Sequence, residues 1–171
     1  MARPSTPKLP VSKTLLSEVL QRVSNAKTKA QKVEILQEYK SPALTKILLL
    51  NFAKCMGTVF PEGKSPYTAH ETPKGVNHQV LFTEHRIIDK FLTKTVGGVK
   101  YFGCSGSHRP SIQQLKKENL WLQLLEGLHP DEAEVMDLIK DKKLTDRYKI
   151  TRQNVIDAFP ELMLQNEPDE A

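Results

Sequence analysis

Residues 111–159 read SIQQLKKENLWLQLLEGLHPDEAEVMDLIKDKKLTDRYKITRQNVIDAF, and their apolar spacing predicts two amphipathic helices followed by a short third one. Apolar side chains recur at three- and four-residue intervals, which is the period of one face of an α-helix. Gly127 and Pro130 predict a tight corner between the first two helices, because glycine favours helix ends and proline favours helix starts. The stretch therefore indicates a helical fold.

The same stretch carries signals for the start of each helix. Ser111 with Gln114 has the spacing of a capping box, and Thr151 has the position of a cap for the short third helix. We expect His129 to be the N-cap of the middle helix, directly before Pro130. The two longer helices should therefore begin at residues that satisfy their first backbone amides.

Charged side chains are ordered along the predicted middle helix. Its first turn holds the acidic residues Asp131, Glu132 and Glu134, with Asp137 farther along, and its end holds the basic residues Lys140, Lys142 and Lys143. This order stabilises the helix dipole, so we assign the carboxylates no catalytic role. Trp121 falls on the apolar face of the preceding helix, where we expect a core residue rather than a platform for stacking bases.

The N-terminal part repeats the helical pattern. Its first apolar stripe consists of Leu15, Leu16, Val19, Leu20 and Val23. Thr28 with Gln31 has the spacing of a capping box for a second helix, and Ser41 before Pro42 opens a third. Residues 44–52 are apolar on nearly all sides, so we expect the third helix to be the buried centre of this half.

The middle of the chain departs from the helical period. Residues 57–82 contain three prolines and three glycines, which predicts a long connection that is functional, ordered against the core or mobile. Thr83 has the position of an N-cap for a helix, whose predicted buried residues are Ile87, Ile88, Phe91 and Leu92. Residues 93–102 place two alternating runs around Gly97 and Gly98, which predicts a small β-hairpin.

Length and composition fit one mainly α-helical domain. The chain has 171 residues, of which 39% are apolar and 26% charged. We predict a compact bundle of about six to seven helices with one hairpin over residues 12–162, an extended basic arm over 1–11 and an acidic, frayed tail over 163–171. No apolar run approaches the ~20 residues that a membrane-spanning helix needs, and we expect no membrane partner. The N-terminus also lacks the apolar segment of a secretory signal.

Positive charge is concentrated in the first third. Residues 1–60 have a net charge of +7, whereas residues 61–171 have a net charge of −2. Such asymmetry is typical of a protein with one face toward a polyanion. The predicted nucleic-acid-binding residues are Arg3, Lys8, Lys13, Arg22, Lys27, Lys29 and Lys32, with Lys94 and Lys100 of the hairpin. They would bind phosphates without regard to sequence, and affinity would fall steeply with salt.

Two other interpretations of these charges remain open. Lysines on exposed helix faces can simply keep a small protein soluble. The last two helices can also imitate a helix-turn-helix that reads bases through Arg152, Gln153 and Asn154. Against that, the connection between these helices is much longer than the usual turn of about 3–4 residues, and the second helix is short.

No catalytic, metal or cofactor site is predicted. Cys104 and His108 are the one close pair of potential ligands, and a metal site needs several at regular spacing. The pair could also be a thiol nucleophile with a base, but it lacks a third orienting group. Cys55 and Cys104 are too few for a disulfide framework, and the glycine-rich segments lack the Gly-Lys-Ser/Thr ending of a phosphate loop.

Three segments carry a family resemblance: KTLLSEVLQRVSNAKTKAQKVEILQEY, PEGKSPY and KKENLWLQLLEGLHPDEAEVMDLIKDKKL with the following YKIT and AFP. They resemble an uncharacterised family of small proteins from large tailed bacteriophages of the myovirus type, over residues 12–162. The chain departs from the family pattern at residues 93–110, where the glycine-rich hairpin is longer. The resemblance implies a host-cytoplasm or virion setting and a role in replication, host takeover or assembly. It supplies no catalytic residues.

We therefore expect a non-enzymatic bacteriophage accessory protein that binds nucleic acid non-specifically through its basic N-terminal third, in DNA handling or condensation. One alternative is a structural or assembly protein of the virion, in which the arm and residues 57–82 order against a neighbouring subunit. Another is an inhibitor that docks on a host enzyme through the hairpin.

Overall fold

The computed structural model describes residues 14–69, 79–96, 99–102, 113–162 and 164, and in these ranges the chain is mainly helical. The α-helices there are α1 (Leu16–Asn25), α2 (Lys29–Glu38), α3 (Pro42–Phe52), α4 (Leu81–Glu84), α5 (Gln114–Gly127), α6 (Pro130–Lys140), α7 (Leu144–Arg147) and α8 (Arg152–Ala158). The strands are β1 (Met56–Thr58), β2 (Leu92–Val96) and β3 (Val99–Phe102), and 3-10 turns lie at His85–Lys90 and Pro160–Leu162. The predicted fold class, a helical bundle with a small hairpin, is confirmed.

The predicted caps of α2 and α3 are present. Thr28 Oγ1 accepts a hydrogen bond from Gln31 N at 3.2 Å, and Ser41 Oγ accepts one from Leu44 N at 3.1 Å. The Gln31 side chain accepts from Lys27 N instead of Thr28 N, so the second half of that capping box is displaced by one residue. Local side-chain chemistry thus sets where both helices begin.

Helix α3 is the buried centre of the N-terminal half, as predicted. Its most buried apolar side chains are 0–2% exposed, at Ala43, Leu44, Ile47, Leu48 and Leu50. Asn51 is also buried, and its Oδ1 accepts a hydrogen bond from Leu144 N at 3.2 Å. The amide satisfies the first backbone N–H of α7, which explains a polar residue on this helix.

Helix α6 is followed, two residues after its end, by a residue with left-handed backbone, Lys142, whose φ is 58°. Lys143 N donates to Leu138 O at 2.8 Å and Lys142 N donates to Ile139 O at 3.0 Å, the bond pattern of a Schellman motif. Lys142 Nζ donates to Leu50 O at 2.8 Å in the last turn of α3. The Lys142 side chain, just after α6, thereby supplies a hydrogen-bond donor to a backbone carbonyl at the end of α3.

The sheet is antiparallel, with strand order β1-β2-β3. Strands β2 and β3 form the predicted hairpin, with Val96 opposite Val99, and Gly97 and Gly98 between them lie outside the described residues. Strand β1 pairs with β2 through Met56 opposite Lys94, a third strand that the sequence did not predict. Three residues are too short a run for alternation to reveal a strand.

Two predicted caps are wrong. Helix α4 begins at Leu81, and Thr83 lies inside it, with its Oγ1 donating to Val80 O at 3.0 Å. Helix α5 begins at Gln114 with Gln113 as the N-cap residue, so Gln114 cannot be the third residue of a box that starts at Ser111. Ser111 itself lies outside the described residues. Each of these helix starts makes a contact with a distant part of the chain, since Gln114 Nε2 donates to Val59 O and Leu81 N donates to the Glu132 carboxylate.

The corner between α5 and α6 is built as predicted. Gly127 is the last residue of α5, and a Cβ there would lie 2.4 Å from Gln79 Oε1. His129 Nδ1 accepts a hydrogen bond from Asp131 N at 3.1 Å and so caps α6, with Pro130 as the first helical residue. A larger residue at position 127 would displace the Gln79 side chain, while the backbone N of Gln79 donates to Gly127 O at 2.9 Å and joins the two segments.

One cluster of buried apolar side chains extends from Leu16 to Leu164. Trp121 is 3% exposed and lies in it, as predicted, with its ring centroid 4.9 Å from that of Phe60 and 5.5 Å from that of Phe91. Leu164 falls within the predicted frayed tail but is 2% exposed and packs against this cluster. The predicted arm over residues 1–11 lies outside the described residues. Within the described ranges, no helix has the length and apolar content to cross a membrane.

Candidate nucleic-acid interface

The predicted nucleic-acid-binding residues fall into three groups. Arg3, Lys8 and Lys13 lie outside the described residues. Lys94 is exposed on β2, and Lys100 on β3 is the partner of Thr95, with a side chain that is not described. Arg22, Lys27, Lys29 and Lys32 lie on or between α1 and α2.

Helix α2 uses two of these cations to hold the C-terminal part of the chain. Lys29 Nζ lies 2.6 Å from Asp157 Oδ2 on α8, and Lys32 Nζ donates to Lys149 O. Hydrogen bonds from Lys29 and Gln153 lower the pKa of Asp157 below its ordinary value. The sequence prediction treated Lys29 and Lys32 as surface charges for a ligand, whereas the structure gives both a partner within the chain.

Arg22 is positioned by an aromatic ring. Its Cζ lies 5.5 Å from the ring centroid of Tyr39, and its Nη1 donates to the Tyr39 hydroxyl. Arg147 has a similar arrangement, with its Cζ 5.4 Å from the ring centroid of Tyr148. Arg22 and Arg147 are both exposed residues. Each guanidinium group lies over a tyrosine ring, and this contact restricts its orientation.

The fold brings further cations to the C-terminal end of α1. Lys149 is exposed, and its backbone N donates to Ser24 Oγ at 3.0 Å, so it lies beside the last turn of this helix. Lys32 reaches the carbonyl of the same residue. We call this set the α1-end patch, and its members are Arg22, Lys27, Lys32, Arg147 and Lys149. Arg147 and Lys149 were missed because nothing local signals that residues so distant in sequence meet.

A cleft of about 260 Å³ borders this patch. Helix α1 forms one side of it, and the other side comes from the start of α6 and from α7 with the residue after it. The lining residues are Ser17, Glu18, Gln21, Arg22, Asn25, Asp131, Arg147 and Tyr148. Its lining is polar and charged, with both carboxylates and guanidinium groups.

Charged groups in the cleft are paired across its walls. Arg147 Nη2 lies 3.8 Å from Asp131 Oδ1, and Arg147 Nη1 contacts Glu134. Tyr148 is 1% exposed, and burial raises the pKa of its phenol, an effect that Arg147 opposes and Asp131 reinforces. The phenol therefore stays protonated at neutral pH as a buried wall of the cleft.

The helix-turn-helix interpretation is contradicted by the contacts of α8. Arg152 donates through Nη1 to Phe52 O at 2.9 Å and through Nη2 to Leu164 O at 2.7 Å. Asn154 is 5% exposed and closes the capping box with Thr151. Two of the three side chains that would read bases are thus part of the fold.

The connection after β1 forms a second surface, partly ordered against α5 and α6. Lys140 Nζ donates at 2.8 Å to both Pro61 O and Gly63 O and lies 2.6 Å from Asp141 Oδ1. Ser65 Oγ donates to Asp137 Oδ1 at 2.6 Å and accepts from Trp121 Nε1 at 3.0 Å. Residues 70–78 of the predicted connection lie outside the described residues. The helix dipole alone therefore does not explain why Asp137 and Lys140 occupy these positions, because both side chains also hold residues 61–65 against α6.

Metal ligation finds no support in the part of the chain that the structure describes, where no three His, Cys, Asp or Glu side chains come together. The pair Cys104 and His108 lies outside that part, and the side chain of Cys55 is half-buried.

Comparison with known proteins identifies a family. Residues 19–146 match a family of unknown function, DUF6433, which covers about three quarters of the chain, and the protein belongs to this family. No curated protein and no solved structure matches the chain.

Proposed function

We propose that this protein is a non-enzymatic accessory protein of a large tailed bacteriophage, acting in the host cytoplasm or virion, and that it binds nucleic-acid backbones without regard to sequence. The phage setting rests on the sequence resemblance. The observation that carries the binding proposal is the convergence of cations from both ends of the chain in the α1-end patch, where Lys149 lies beside Ser24 and receives Lys32.

Phosphate binding is the chemistry that such a patch supports best. Guanidinium groups match phosphate oxygens with two parallel hydrogen bonds, and Arg22 is already oriented by a tyrosine ring, whereas a phosphate at Arg147 must compete with Asp131 and Glu134. Lys27 and Lys149 are exposed and act as point charges. Contacts to phosphate carry no sequence information, which agrees with the internal engagement of Arg152 and Asn154.

Fluorescence anisotropy with a labelled random-sequence oligonucleotide tests the proposal. If four cations contact phosphates, raising the salt from 50 to 200 mM weakens binding by about a hundredfold. The double variant Lys27→Glu/Lys149→Glu should weaken binding at 50 mM salt by at least about tenfold and flatten the salt dependence by about two contacts. Both residues are exposed, and neither lysine side chain holds another element in place.

A matched control separates the patch from overall charge. The variant Lys90→Glu/Lys116→Glu changes the net charge equally at two exposed positions outside the patch. It should retain most of the affinity. Equal losses in both variants, or no loss in either, would contradict an interface at the α1-end patch.

A structural or assembly protein of the virion is a second candidate, and one observation favours it. Leu115 on α5 is 70% exposed and is the large hydrophobic side chain most open to solvent among the described residues. A protein–protein contact would remove this apolar surface from water, although a single exposed leucine is also common on proteins that bind no partner. Mass spectrometry of purified particles tests this candidate, because a structural protein is present in stoichiometric amount and an infected-cell protein is absent.

A further inference from the structure

We infer that the N-terminal arm of this chain docks through its prolines into a groove between residues 60–66 and α5 of the same molecule. The arm, residues 1–13, lies outside the described residues. The inference does not depend on nucleic-acid binding. It changes the expected role of Arg3 and Lys8, which would then lie beside acidic side chains of this chain instead of phosphates.

The groove is held open by the fold and has a volume of about 290 Å³. Its most buried lining residue is Trp121, which is 3% exposed, whereas Pro61 and Pro66 are exposed. Lys140 Nζ donates at 2.8 Å to both Pro61 O and Gly63 O and so fixes the segment that forms one wall. A ligand would therefore enter a site that is already formed. The lining residues are Phe60, Pro61, Glu62, Gly63, Lys64, Ser65, Pro66, Glu118, Trp121, Leu122 and Lys140.

The arm has a proline at every third position, at Pro4, Pro7 and Pro10. A polyproline II helix has three residues per turn, so this spacing places the three rings along one edge. Proline-rich segments in this conformation dock onto grooves that aromatic side chains line. The groove offers Phe60 and Trp121, whose ring centroids lie 4.9 Å apart. The apolar edge of the arm therefore matches the chemistry of the groove.

Charge favours the same pairing. The arm contains no Asp or Glu, and its cations are Arg3, Lys8 and Lys13. The groove has two carboxylates, Glu62 and Glu118, against one exposed lysine, Lys64. Its second lysine, Lys140, lies 2.6 Å from the Asp141 carboxylate, which offsets its charge. The groove therefore attracts a basic segment.

The arm is long enough to reach the groove of its own molecule. Leu16 N donates to Glu132 in the first turn of α6, so α1 begins beside the start of α6. Lys140, which lines the groove, lies farther along the same helix by about 12 Å. The chain from Pro10 to Thr14 spans about 12 Å in a polyproline II conformation. The three prolines can therefore lie at the groove without any change in α1.

Amide NMR spectra of the full chain and of a variant without residues 1–10 test whether the arm docks. Loss of the arm should shift the signals of residues 62–66, of Leu122 and of the Trp121 indole, because these groups would lose contacts with the prolines. Identical signals from these groups in the two proteins would overturn the inference.

The proline edge is tested in the full chain. Pro4→Ala/Pro7→Ala/Pro10→Ala should reproduce the shifts that truncation causes. Ser5→Ala/Thr6→Ala changes the same arm at positions off that edge, so the groove signals should stay in place. A triple variant whose groove signals match those of the unaltered chain would contradict docking through the prolines.

A synthetic peptide of residues 1–13, added to the truncated chain, tests the contribution of charge. Glu62→Lys in the groove should weaken peptide binding by about fivefold, the effect of reversing one exposed charge pair. Glu34→Lys, at an exposed position on α2 outside the groove, changes the net charge equally and should leave the affinity unchanged. Equal losses in the two variants would mean that the peptide responds to overall charge, and would overturn the assignment to this groove.

Light scattering after size-exclusion chromatography distinguishes docking within one chain from exchange of arms between chains. The full chain should keep the mass of a monomer at concentrations where the groove signals show a docked arm. A mass that rises with concentration, and that truncation returns to the monomer, would assign the groove to the arm of a second copy and overturn docking within one chain. Nucleic-acid binding is measured separately, so failure of either proposal leaves the other standing.

Discussion

Glu132 joins three helices through one carboxylate. It lies in the first turn of α6, is 1% exposed, and accepts hydrogen bonds from Leu16 N and Leu81 N, each at 2.9 Å. Both donors lie at helix starts, where backbone N–H groups have no partner within the helix. Dipole stabilisation explains an acidic residue at this position only in part, because a buried carboxylate is retained where it satisfies buried donors.

Replacing this carboxylate should be costly. Glu132→Ala leaves two buried N–H groups without an acceptor, which should lower the free energy of unfolding by about 2–4 kcal/mol. Urea unfolding followed by circular dichroism measures the change. Glu134→Ala, on the same helix but exposed and paired with Arg147, should cost no more than about 1 kcal/mol. Similar losses in the two variants would show that the bonds from Leu16 and Leu81 contribute little.

At the level of elements, α6 organises a segment that has no regular structure of its own. Its C-terminal half presents Asp137 to Ser65, while Lys140 donates to the carbonyls of Pro61 and Gly63. Asp141 adds a bond from Gly63 N at 3.0 Å. A proline- and glycine-containing connection is thereby held over Trp121 by side chains spaced along one helix.

Removal of one of these hydrogen-bonding side chains of α6 should increase the mobility of the connection without unfolding the helical bundle. Asp137→Ala removes the acceptor for both the amide and the hydroxyl of Ser65, so amide hydrogen exchange near residues 63–67 should quicken by about tenfold or more, while α3 keeps its protection. Trp121 loses a fixed partner, and its fluorescence should shift to the red. The exposed Asp146 on α7 provides the control as Asp146→Ala. Unchanged exchange at Ser65 in Asp137→Ala would contradict the anchoring role.

Across the whole molecule, folding redistributes the charge asymmetry of the sequence. Cations of the first third pair with acids later in the chain, as in Lys29 with Asp157, Lys40 with Glu161 and Lys46 with Asp89. The cations that gather at the end of α1 include two from the C-terminal part. The electrostatic surface is therefore a property of the tertiary structure, and the linear distribution of charge locates it only in part.

A single core predicts a single unfolding transition. Leu36 on α2 is 0% exposed and belongs to the same cluster as Trp121. Leu36→Ala should lower the free energy of unfolding by about 2–4 kcal/mol, and the Trp121 fluorescence transition should shift together with the far-ultraviolet one. Leu115→Ala, at a 70% exposed position, should change stability by less than about 0.5 kcal/mol. Separate transitions for the two probes in Leu36→Ala would indicate two independently folding units.

Helix positions and several of their ends follow from sequence, because they depend on neighbours within four residues. Thr28, Ser41, His129 and Thr151 cap the helices that follow them, and the hairpin register follows the alternating runs on either side of residues 97 and 98. Predictions failed where a distant group intervened. Thr83 lies inside α4, whose first amide meets Glu132.

What the sequence by itself determined is the helical class, the order of most elements and the burial of residues such as Trp121, since periodicity and local caps encode these. The tertiary structure alone decided which charged side chains gather on one surface and which pair within the chain. Lys29 is held by an acid on α8, while Arg147 and Lys149 join Arg22 from more than a hundred positions away and Lys32 donates to the carbonyl of Lys149 in the same patch. Such convergence depends on packing between distant elements, and no local pattern in the sequence records it.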